Sequence, residues 1–311
     1  MILCIGTTPA AQRVMVFRKL TLDAVNRAIT TRDGAAGKAV NVAKVLKTLG
    51  EEPVVAGFVG GERGAQLRSL LEAEGVALAM VTVAPSTRQC ITVIDESAGT
   101  QTELVEESGA VSLSDFESLM ALIAARARNA RALVMSGTVA PGVPPDIYLR
   151  CTRLAYESGA LAVIDAHGPP LFEALAASPG LVKPNRAELS GMLAVPLQDE
   201  GSAKCAMRDL HARGAQRVVV TAGKDPVLAF DGRGFWRISV PTIRAVNPIG
   251  SGDAFTAALV WRLLSGDDLG QACRWANAAG AANALTLMSG ELRLPDLNRL
   301  VNETRAEQIA R

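Results

Sequence analysis

The sequence is poor in the residues that build disulfide frameworks and histidine metal sites. Its 311 residues include five cysteines, none in a C-x-x-C arrangement, and two histidines, His167 and His211. An odd number of scattered cysteines in a chain of this length predicts reduced, mostly buried thiols rather than a disulfide scaffold. Two histidines are too few for a histidine-rich metal site.

Long apolar runs and an excess of charge are also missing. No stretch of about 18 apolar residues is present, so no membrane-spanning helix and no membrane partner are expected. The first residues, Met1–Gly6, lack the basic segment of a secretion signal and are typical of a strand. The formal net charge is +1 without a basic stripe, which predicts no nucleic-acid partner. We therefore expect a cytoplasmic protein.

Short apolar runs alternate with segments of helical periodicity. This alternation predicts one α/β domain over residues 1–311, with a mostly parallel sheet, helices on both faces and ligands at the carboxyl ends of the strands. The predicted strands are Ile2–Ile5, Val54–Phe58, Ala132–Met135, Leu161–Ile164, Gly180–Lys183 and Arg217–Thr221. The predicted helices are Ala39–Leu49, Gly64–Glu74, Leu113–Ala127, Pro145–Glu157, Ser202–Ala212, Ala254–Leu264, Leu269–Leu287 and a last helix from Pro295.

Two segments, Val14–Thr31 and Arg88–Val105, interrupt this alternation. Their interleaved polar and apolar residues are typical of extended chain. We expect them to form a small second sheet, a lid over the strand ends from about residues 12–33 and 87–108. Two ordinary surface hairpins are the alternative.

The segment around Gly250 and Gly252 is the richest in chemistry. The two glycines flank Ser251 and precede an apolar, helix-like run, so free N–H groups and the positive end of a helix dipole would point at one place. This pattern is typical of an anion site. Asp253 lies inside it, where a carboxylate could take a proton from a hydroxyl that attacks phosphorus. The alternative is that Asp253 only caps the helix.

Four stretches, in order, resemble signatures of one family. They are Gly34–Ala43, Ser136–Pro144, Lys183–Leu189 and Asn247–Phe255. Together they resemble the ribokinase/PfkB family of sugar kinases, and most closely its 1-phosphofructokinase and tagatose-6-phosphate kinase branch. The resemblance implies a three-layer α/β/α fold with a β-sheet lid, and a homodimer formed through that lid. It also implies phosphoryl transfer from ATP with Mg²⁺ to a sugar phosphate, with Asp253 as general base and the N–H groups of Gly250, Ser251 and Gly252 holding the developing charge.

The resemblance also implies a substrate site. Its residues would be Gln12, Gly37, Lys38, Asn41, Arg88, Ser136 and Asp253. Lys38 and Arg88 would hold the phosphate already on the sugar, since arginine matches phosphate geometry with a bidentate fork. The alternatives are a solvated Lys38 and a surface salt bridge of Arg88.

Asn185 and Glu188 stand three residues apart, on one face of a helix that starts after Pro184. An amide and a carboxylate there suit a Mg²⁺ that keeps most of its waters, and a helix-capping pair is an alternative compatible with it. For the nucleotide, the resemblance implies Asn185, Glu188, Thr221, Gly223, Lys224, Gly250, Gly252, Asn277 and Gly280. Lys224 could equally be solvated, and the small residues around Asn277 could equally serve helix packing.

The chain departs from the family pattern where the sugar would bind. Gln12 stands where the family has Asp, Ala36 and Ala39 replace usual glycines, and Pro248 replaces Thr. These changes affect the expected substrate more than the reaction. The alternatives are a kinase for an unphosphorylated sugar or nucleoside, and a non-catalytic sugar-phosphate binder. A dinucleotide-dependent dehydrogenase would need G-x-G-x-x-G after the first strand, which Gly6–Pro9 does not provide.

Overall fold

The computed structural model of the protein describes residues 1–310. Its strands are β1 Ile2–Ile5, β2 Ala10–Phe17, β3 Thr30–Ala36, β4 Pro53–Val59, β5 Ala77–Thr82, β6 Arg88–Asp95, β7 Thr100–Val105, β8 Ala132–Ser136, β9 Leu161–Asp165, β10 Leu181–Val182, β11 Val218–Ala222, β12 Asp225–Phe230, β13 Phe235–Ile238 and β14 Ala306–Ile309. Its helices are α1 Lys38–Thr48, α2 Gly61–Ala73, α3 Leu113–Ala127, α4 Ile147–Glu157, α5 Pro169–Leu175, α6 Arg186–Leu193, α7 Glu200–Ala212, α8 Ser251–Leu264, α9 Leu269–Ala284 and α10 Leu294–Glu303.

A ten-stranded sheet forms the middle layer, in the order β14-β13-β12-β11-β10-β9-β8-β1-β4-β5. The strands from β11 to β5 pair in parallel, as predicted. The strands β12, β13 and β14 add an antiparallel edge that the sequence patterns do not predict. Because the parallel strands point the same way, their carboxyl ends share one edge of the sheet.

Helices cover both faces of this sheet, which explains why its central strands are continuously apolar. Successive residues of β1 alternate between the two sides: Leu3 and Ile5 pack with α3 to α7, whereas Ile2 and Cys4 pack with α1, α2 and α8 to α10. The predicted three-layer α/β/α architecture is therefore confirmed.

A second sheet of four strands, in the order β3-β2-β6-β7, lies apart from the main sheet. We call it the lid sheet. The prediction of a small separate sheet is correct, but residues 18–29 of the first segment are not strand, and β2 and β3 extend beyond it to Ala10 and Ala36. Three side chains of the lid sheet, Val14, Val16 and Ile94, are buried together with Met288 from the main domain.

The cysteines of residues 1–310 are all free thiols, and four of the five are buried; Cys205 is exposed. This agrees with the expectation of reduced, mostly buried thiols. Within the same residues, none of the helices has the length and hydropathy that a membrane crossing requires.

Candidate active site

The start of α8 forms the floor of the site. Gly250 has φ = 87° and a Cβ there would lie 2.8 Å from the Cβ of Ser289, so both backbone conformation and space require glycine. The Ser251 N–H donates to Pro248 O at 3.1 Å, inside the turn. Gly250 and Gly252 line a cavity between the lid sheet and the main sheet, whereas Ser251 does not. The expected cradle therefore has two glycine positions, and the predicted Ser251 N–H is already used.

A cavity of about 350 Å³ opens between the lid sheet and the carboxyl ends of the main strands. Segments far apart in sequence meet there, and most of the residues proposed from the sequence line it: Gln12, Gly37, Lys38, Asn41, Arg88, Asn185, Glu188, Thr221, Gly250, Gly252 and Asp253. The parallel strands thus bring the substrate, nucleotide and base candidates to one place.

Asp253 lies in the first turn of α8 and is only 6% exposed. It makes no capping hydrogen bond to the helix; instead Asn41 Nδ2 donates to its Oδ2 at 2.7 Å. Burial, together with the negative charge of Asp165, raises the pKa of Asp253 to about 7, against the opposing effects of Lys38, Asn41 and Lys183. The structure therefore favours an acid–base role over helix capping.

Asp165, at the end of β9, is the centre of the charge network and was not predicted as a site residue. Its carboxylate is 1% exposed and accepts a hydrogen bond from Thr256 Oγ1 at 2.6 Å. Lys183 Nζ lies 3.2 Å from Oδ2 and Lys38 Nζ lies 3.4 Å from Oδ1. Burial opposes ionisation, but the two ammonium groups and the Thr256 hydroxyl outweigh it and hold the pKa of Asp165 below its usual value.

Lys38 and Arg88, predicted to hold one substrate phosphate together, contact different groups. The Lys38 ammonium lies between Asp165 and Glu188, 3.6 Å from Glu188 Oε1. The charge of Asp165 is the main reason why its pKa is raised. Arg88 enters the cavity from the lid sheet and its Nε donates to Thr8 O at 3.2 Å. Lys38 therefore belongs to the Asp165 cluster.

Asn185 and Glu188 form the capping box that the sequence allowed. Glu188 Oε2 accepts from the Asn185 N–H at 2.8 Å, and the Glu188 N–H donates to Asn185 Oδ1 at 2.8 Å. This leaves Glu188 Oε1 at the cavity, near Lys38. Among residues 1–310, no cluster of three or more acidic, cysteine or histidine side chains could form a metal cage. The capping role is confirmed, and the magnesium role stays a prediction.

Besides Ser251, three buried residues proposed from the sequence do not line the cavity. Ser136 is buried at the end of β8, and its hydroxyl has no hydrogen-bond partner. Asn277 Nδ2 donates to Ser239 O at 2.7 Å. At Gly280 a Cβ would lie 2.9 Å from Ser251 O, so this glycine lets α9 pack against the start of α8. The Gly280 contact is helix packing, and the nucleotide roles of Asn277 and Gly280 stay predictions.

Gly223 and Lys224 occupy the exposed turn between β11 and β12. Thr221, just before this turn, lines the cavity and pairs with Asn185 through a β-bridge. Among these three, the structure brings only Thr221 to the site itself.

Gln12, at the position of the family Asp, is buried in the cavity wall on β2. Its Oε1 lies 2.8 Å from Ser289 Oγ, which is also 3.2 Å from Asn41 Oδ1. Ser289 belongs to none of the quoted motifs and follows α9 in an irregular segment, so no local signal pointed to it. It connects the lid sheet to the partner of Asp253.

Comparison with known proteins identifies the family. The model of a family described as "pfkB family carbohydrate kinase" matches residues 1–294. The chain is 28% identical, over 99% of its own length and 100% of the relative's, to tagatose-6-phosphate kinase of Staphylococcus epidermidis. The structure resembles phosphofructokinase-2 from Escherichia coli in complex with fructose-6-phosphate, with a TM-score of 0.87, 27% identity and coverage of 97% and 98% of the two chains.

A Thermotoga maritima protein described as a possible 1-phosphofructokinase has a TM-score of 0.91 over 99% of both chains; at 24% identity it supports the fold alone. The family match, by contrast, extends over nearly the whole sequence. The chain therefore belongs to the pfkB family of carbohydrate kinases.

Proposed function

We propose that this carbohydrate kinase transfers the terminal phosphoryl group of ATP to a hydroxyl of a small sugar phosphate, of the fructose 1-phosphate or tagatose 6-phosphate type. The observation that carries the proposal is the placement of Asp253, a buried carboxylate between two lysines and the glycine-rich start of a helix. A relative named tagatose-6-phosphate kinase supports the choice of substrate class.

Asp253 accepts the proton of the attacking hydroxyl as the new oxygen–phosphorus bond forms and the bond to the leaving ADP breaks. A general base works best when its pKa lies near the operating pH, and burial raises the pKa of Asp253 to about 7. Asn41 donates to one carboxylate oxygen at 2.7 Å, which fixes the orientation of the base and leaves the other oxygen for the substrate.

Two lysines and the positive end of the α8 dipole lie beside this base, where the transferred phosphoryl group would pass. The start of α8 presents Gly250 and Gly252 without side chains, so backbone can approach a phosphate closely. Lys38 and Lys183 lie on the same side, each held by Asp165 at 3.4 and 3.2 Å. Preorganised donors of this kind stabilise the charge that develops in the transition state.

Glu188 fits a hydrated magnesium ion. One carboxylate oxygen is used by the Asn185 N–H, while Oε1 remains at the cavity, and a single carboxylate is what Mg²⁺ takes when phosphates and water supply the rest. When bound, Mg²⁺ would neutralise charge on the nucleotide phosphates. Glu188 would hold one of its waters, and Asn185 would keep the Glu188 side chain in place.

Arg88 is the residue we propose for the phosphate of the sugar. Its Nε is fixed on Thr8 O, which orients the guanidinium group in the cavity wall. With Lys38 bound to Asp165, recognition of this phosphate rests on Arg88. A kinase for an unphosphorylated sugar or nucleoside is therefore the outcome against which the proposal must be tested.

The test is an ATP-consumption screen over ketohexose and aldose phosphates, free sugars and nucleosides, with wild type and Asp253→Asn side by side. We expect a phosphosugar to give the highest kcat/KM. The variant should bind nucleotide normally and lose roughly 10²–10⁴-fold in kcat. Wild-type turnover by Asp253→Asn would show that Asp253 is not the base, and a free sugar or nucleoside as best substrate would reject the phosphosugar assignment.

We further propose a homodimer through the lid sheet. The face of this sheet opposite the cavity carries the partly buried Met15, Ile91 and Val93 and the exposed Leu104, on adjacent strands. A contiguous apolar patch of this kind is typical of a protein interface. Sedimentation should give a dimer for wild type and a monomer for Ile91→Asp; a wild-type monomer would reject the proposal.

We retain the cytoplasm as the proposed location. Free thiols, mostly buried, fit a reducing compartment.

A further inference from the structure

A chain of buried polar side chains connects the lid sheet to the proposed base. It runs from Gln12 on β2 through Ser289 to Asn41 on α1, and ends at Asp253. The successive separations are 2.8 Å between Gln12 Oε1 and Ser289 Oγ, 3.2 Å between Ser289 Oγ and Asn41 Oδ1, and 2.7 Å between Asn41 Nδ2 and Asp253 Oδ2. All four side chains are buried.

The hydrogen-bonding capacity of these groups fixes the direction of the chain. An ionised Asp253 only accepts, so Asn41 must turn its NH₂ group to it and its oxygen to Ser289. Ser289 has one proton, which cannot serve Asn41 and Gln12 Oε1 together. A Gln12 amide with its NH₂ group toward Ser289 occupies the same space and satisfies every link. All donors then point toward Asp253, and this arrangement favours its ionised form.

The other end of Gln12 is engaged as well. In that orientation the amide oxygen takes the other place, 3.5 Å from Thr92 Oγ1 on the neighbouring strand β6, and accepts from the Thr92 hydroxyl; Thr92 is also buried. Both polar atoms of the amide therefore have protein neighbours. Gln12 also lines the cavity, so its contact with a sugar hydroxyl stays a prediction.

We propose that Gln12 and Ser289 are positioning residues that tune the proton affinity of Asp253 through Asn41 and connect it to the lid sheet. The inference rests on the proposed function, in which Asp253 is the base. A carboxylate at position 12 could not donate to Ser289, so the glutamine of this chain is what completes the directed chain.

The charged groups around Asp253 lie on other elements and do not take part in this chain. Asp165 faces it from the end of β9, Lys38 from α1 and Lys183 from the segment after β10. Asp165 raises the pKa of Asp253 and the lysines lower it, while burial contributes the largest increase. These charges are fixed on one another by the Asp165 ion pairs, so Ser289 and Gln12 can be changed without removing any of them.

The test follows the Asp253 carboxyl directly, by ¹³C NMR of aspartate-labelled protein against pH, in wild type, Ser289→Ala, Gln12→Met and the double variant. Loss of one neutral hydrogen bond in the chain should raise the Asp253 pKa by about 0.5–1 unit. The double variant should shift no further than the larger single shift, because both changes break one chain. If Asp253 is the base, kcat/KM at about pH 6.5 should fall roughly threefold to tenfold with a smaller change at about pH 8.5.

Thr152→Val is the matched control, because it deletes a buried hydroxyl that donates to Tyr148 O at 2.7 Å, inside α4 and away from the cavity. It should leave the Asp253 titration unchanged. An unchanged Asp253 pKa in Ser289→Ala, or additive shifts in the double variant, would overturn the inference. The NMR titration decides this inference, whereas the ATP-consumption screen decides the proposed function, so the two can fail separately.

Discussion

Replacing Asp253 by asparagine should stabilise the folded protein relative to wild type, by an amount that grows as the pH rises. The folded protein holds this carboxyl in a buried place where its pKa is raised to about 7, mainly by burial and by the charge of Asp165. In the unfolded chain the pKa returns to about 3.9. Asparagine has nearly the same shape, carries no charge and can still accept the hydrogen bond from Asn41.

The direction of this pH dependence follows from the folded and unfolded pKa values of Asp253. Between about pH 4 and 7 the folded state keeps a proton that the unfolded state has released. The contribution of Asp253 to wild-type stability is therefore largest below the unfolded pKa and falls until the pH passes the folded pKa. At about 1.4 kcal/mol per unit, the free energy of unfolding of wild type loses about 2–3 kcal/mol between pH 5 and pH 8 through this group alone. Asp253→Asn escapes this loss, so its advantage over wild type should grow by that amount.

Equilibrium unfolding in urea, at constant ionic strength from about pH 5 to 8, measures this difference. Asp33→Asn is the control: Asp33 accepts a hydrogen bond from Arg13 Nε at 2.6 Å, which lowers its pKa, so its contribution is lost only in more acid solution. The Asp33→Asn difference from wild type should stay flat over this range. A flat Asp253→Asn difference, or one that shrinks with pH, would show that the fold does not hold Asp253 with a raised pKa.

Three further changes test other parts of the site. Glu188→Gln keeps the capping pair with Asn185, since glutamine also serves there; the magnesium concentration needed for half-maximal activity should rise, and an unchanged titration would leave capping alone. Arg88→Ala should raise KM for the phosphosugar roughly tenfold or more with KM for ATP nearly constant; equal changes in both would place Arg88 outside the sugar site. Gly250→Ala puts a Cβ 2.8 Å from that of Ser289 at φ = 87°, and should cost about 1–3 kcal/mol in urea unfolding; a neutral result would mean that the turn relaxes freely.

The layered fold could be predicted from the sequence because the patterns that specify its strands and helices are local. The residues of β1 and β4 are apolar without interruption, which a strand buried on both faces requires, and α3 has the predicted bounds because Ser112 and Asp115 form a capping box at its start. The antiparallel edge was missed because β13 and β14 are short and, unlike β1, contain charged or polar residues, so that pairing with one another is what makes them strands.

The site was predictable to the extent that one segment carries its chemistry. Gly250 and Asp253 stand out because glycines and a carboxylate at a helix start have few structural uses together. Asp165 could not be recognised in this way, because its role arises only when Lys38 and Lys183, far apart in sequence, reach the same carboxylate. The ion pair of Lys38 with Asp165 could not be foreseen for the same reason, and a shared phosphate contact of Lys38 and Arg88, which line the same cavity, stays a prediction.

The apolar cluster beneath the lid sheet limits how substrates can enter and leave the cavity. Val14, Val16 and Ile94 are buried against Met288, and separating the sheet from the main domain would expose these surfaces at a cost of roughly 4–8 kcal/mol. A fully detached sheet would then be present in roughly one molecule in 10³ or fewer. Substrates must therefore enter and leave the cavity while the lid sheet stays attached to the main domain. We expect substrates to pass along the exposed strand β7, which is an edge strand of the lid sheet and whose Glu103 and Val105 line the cavity.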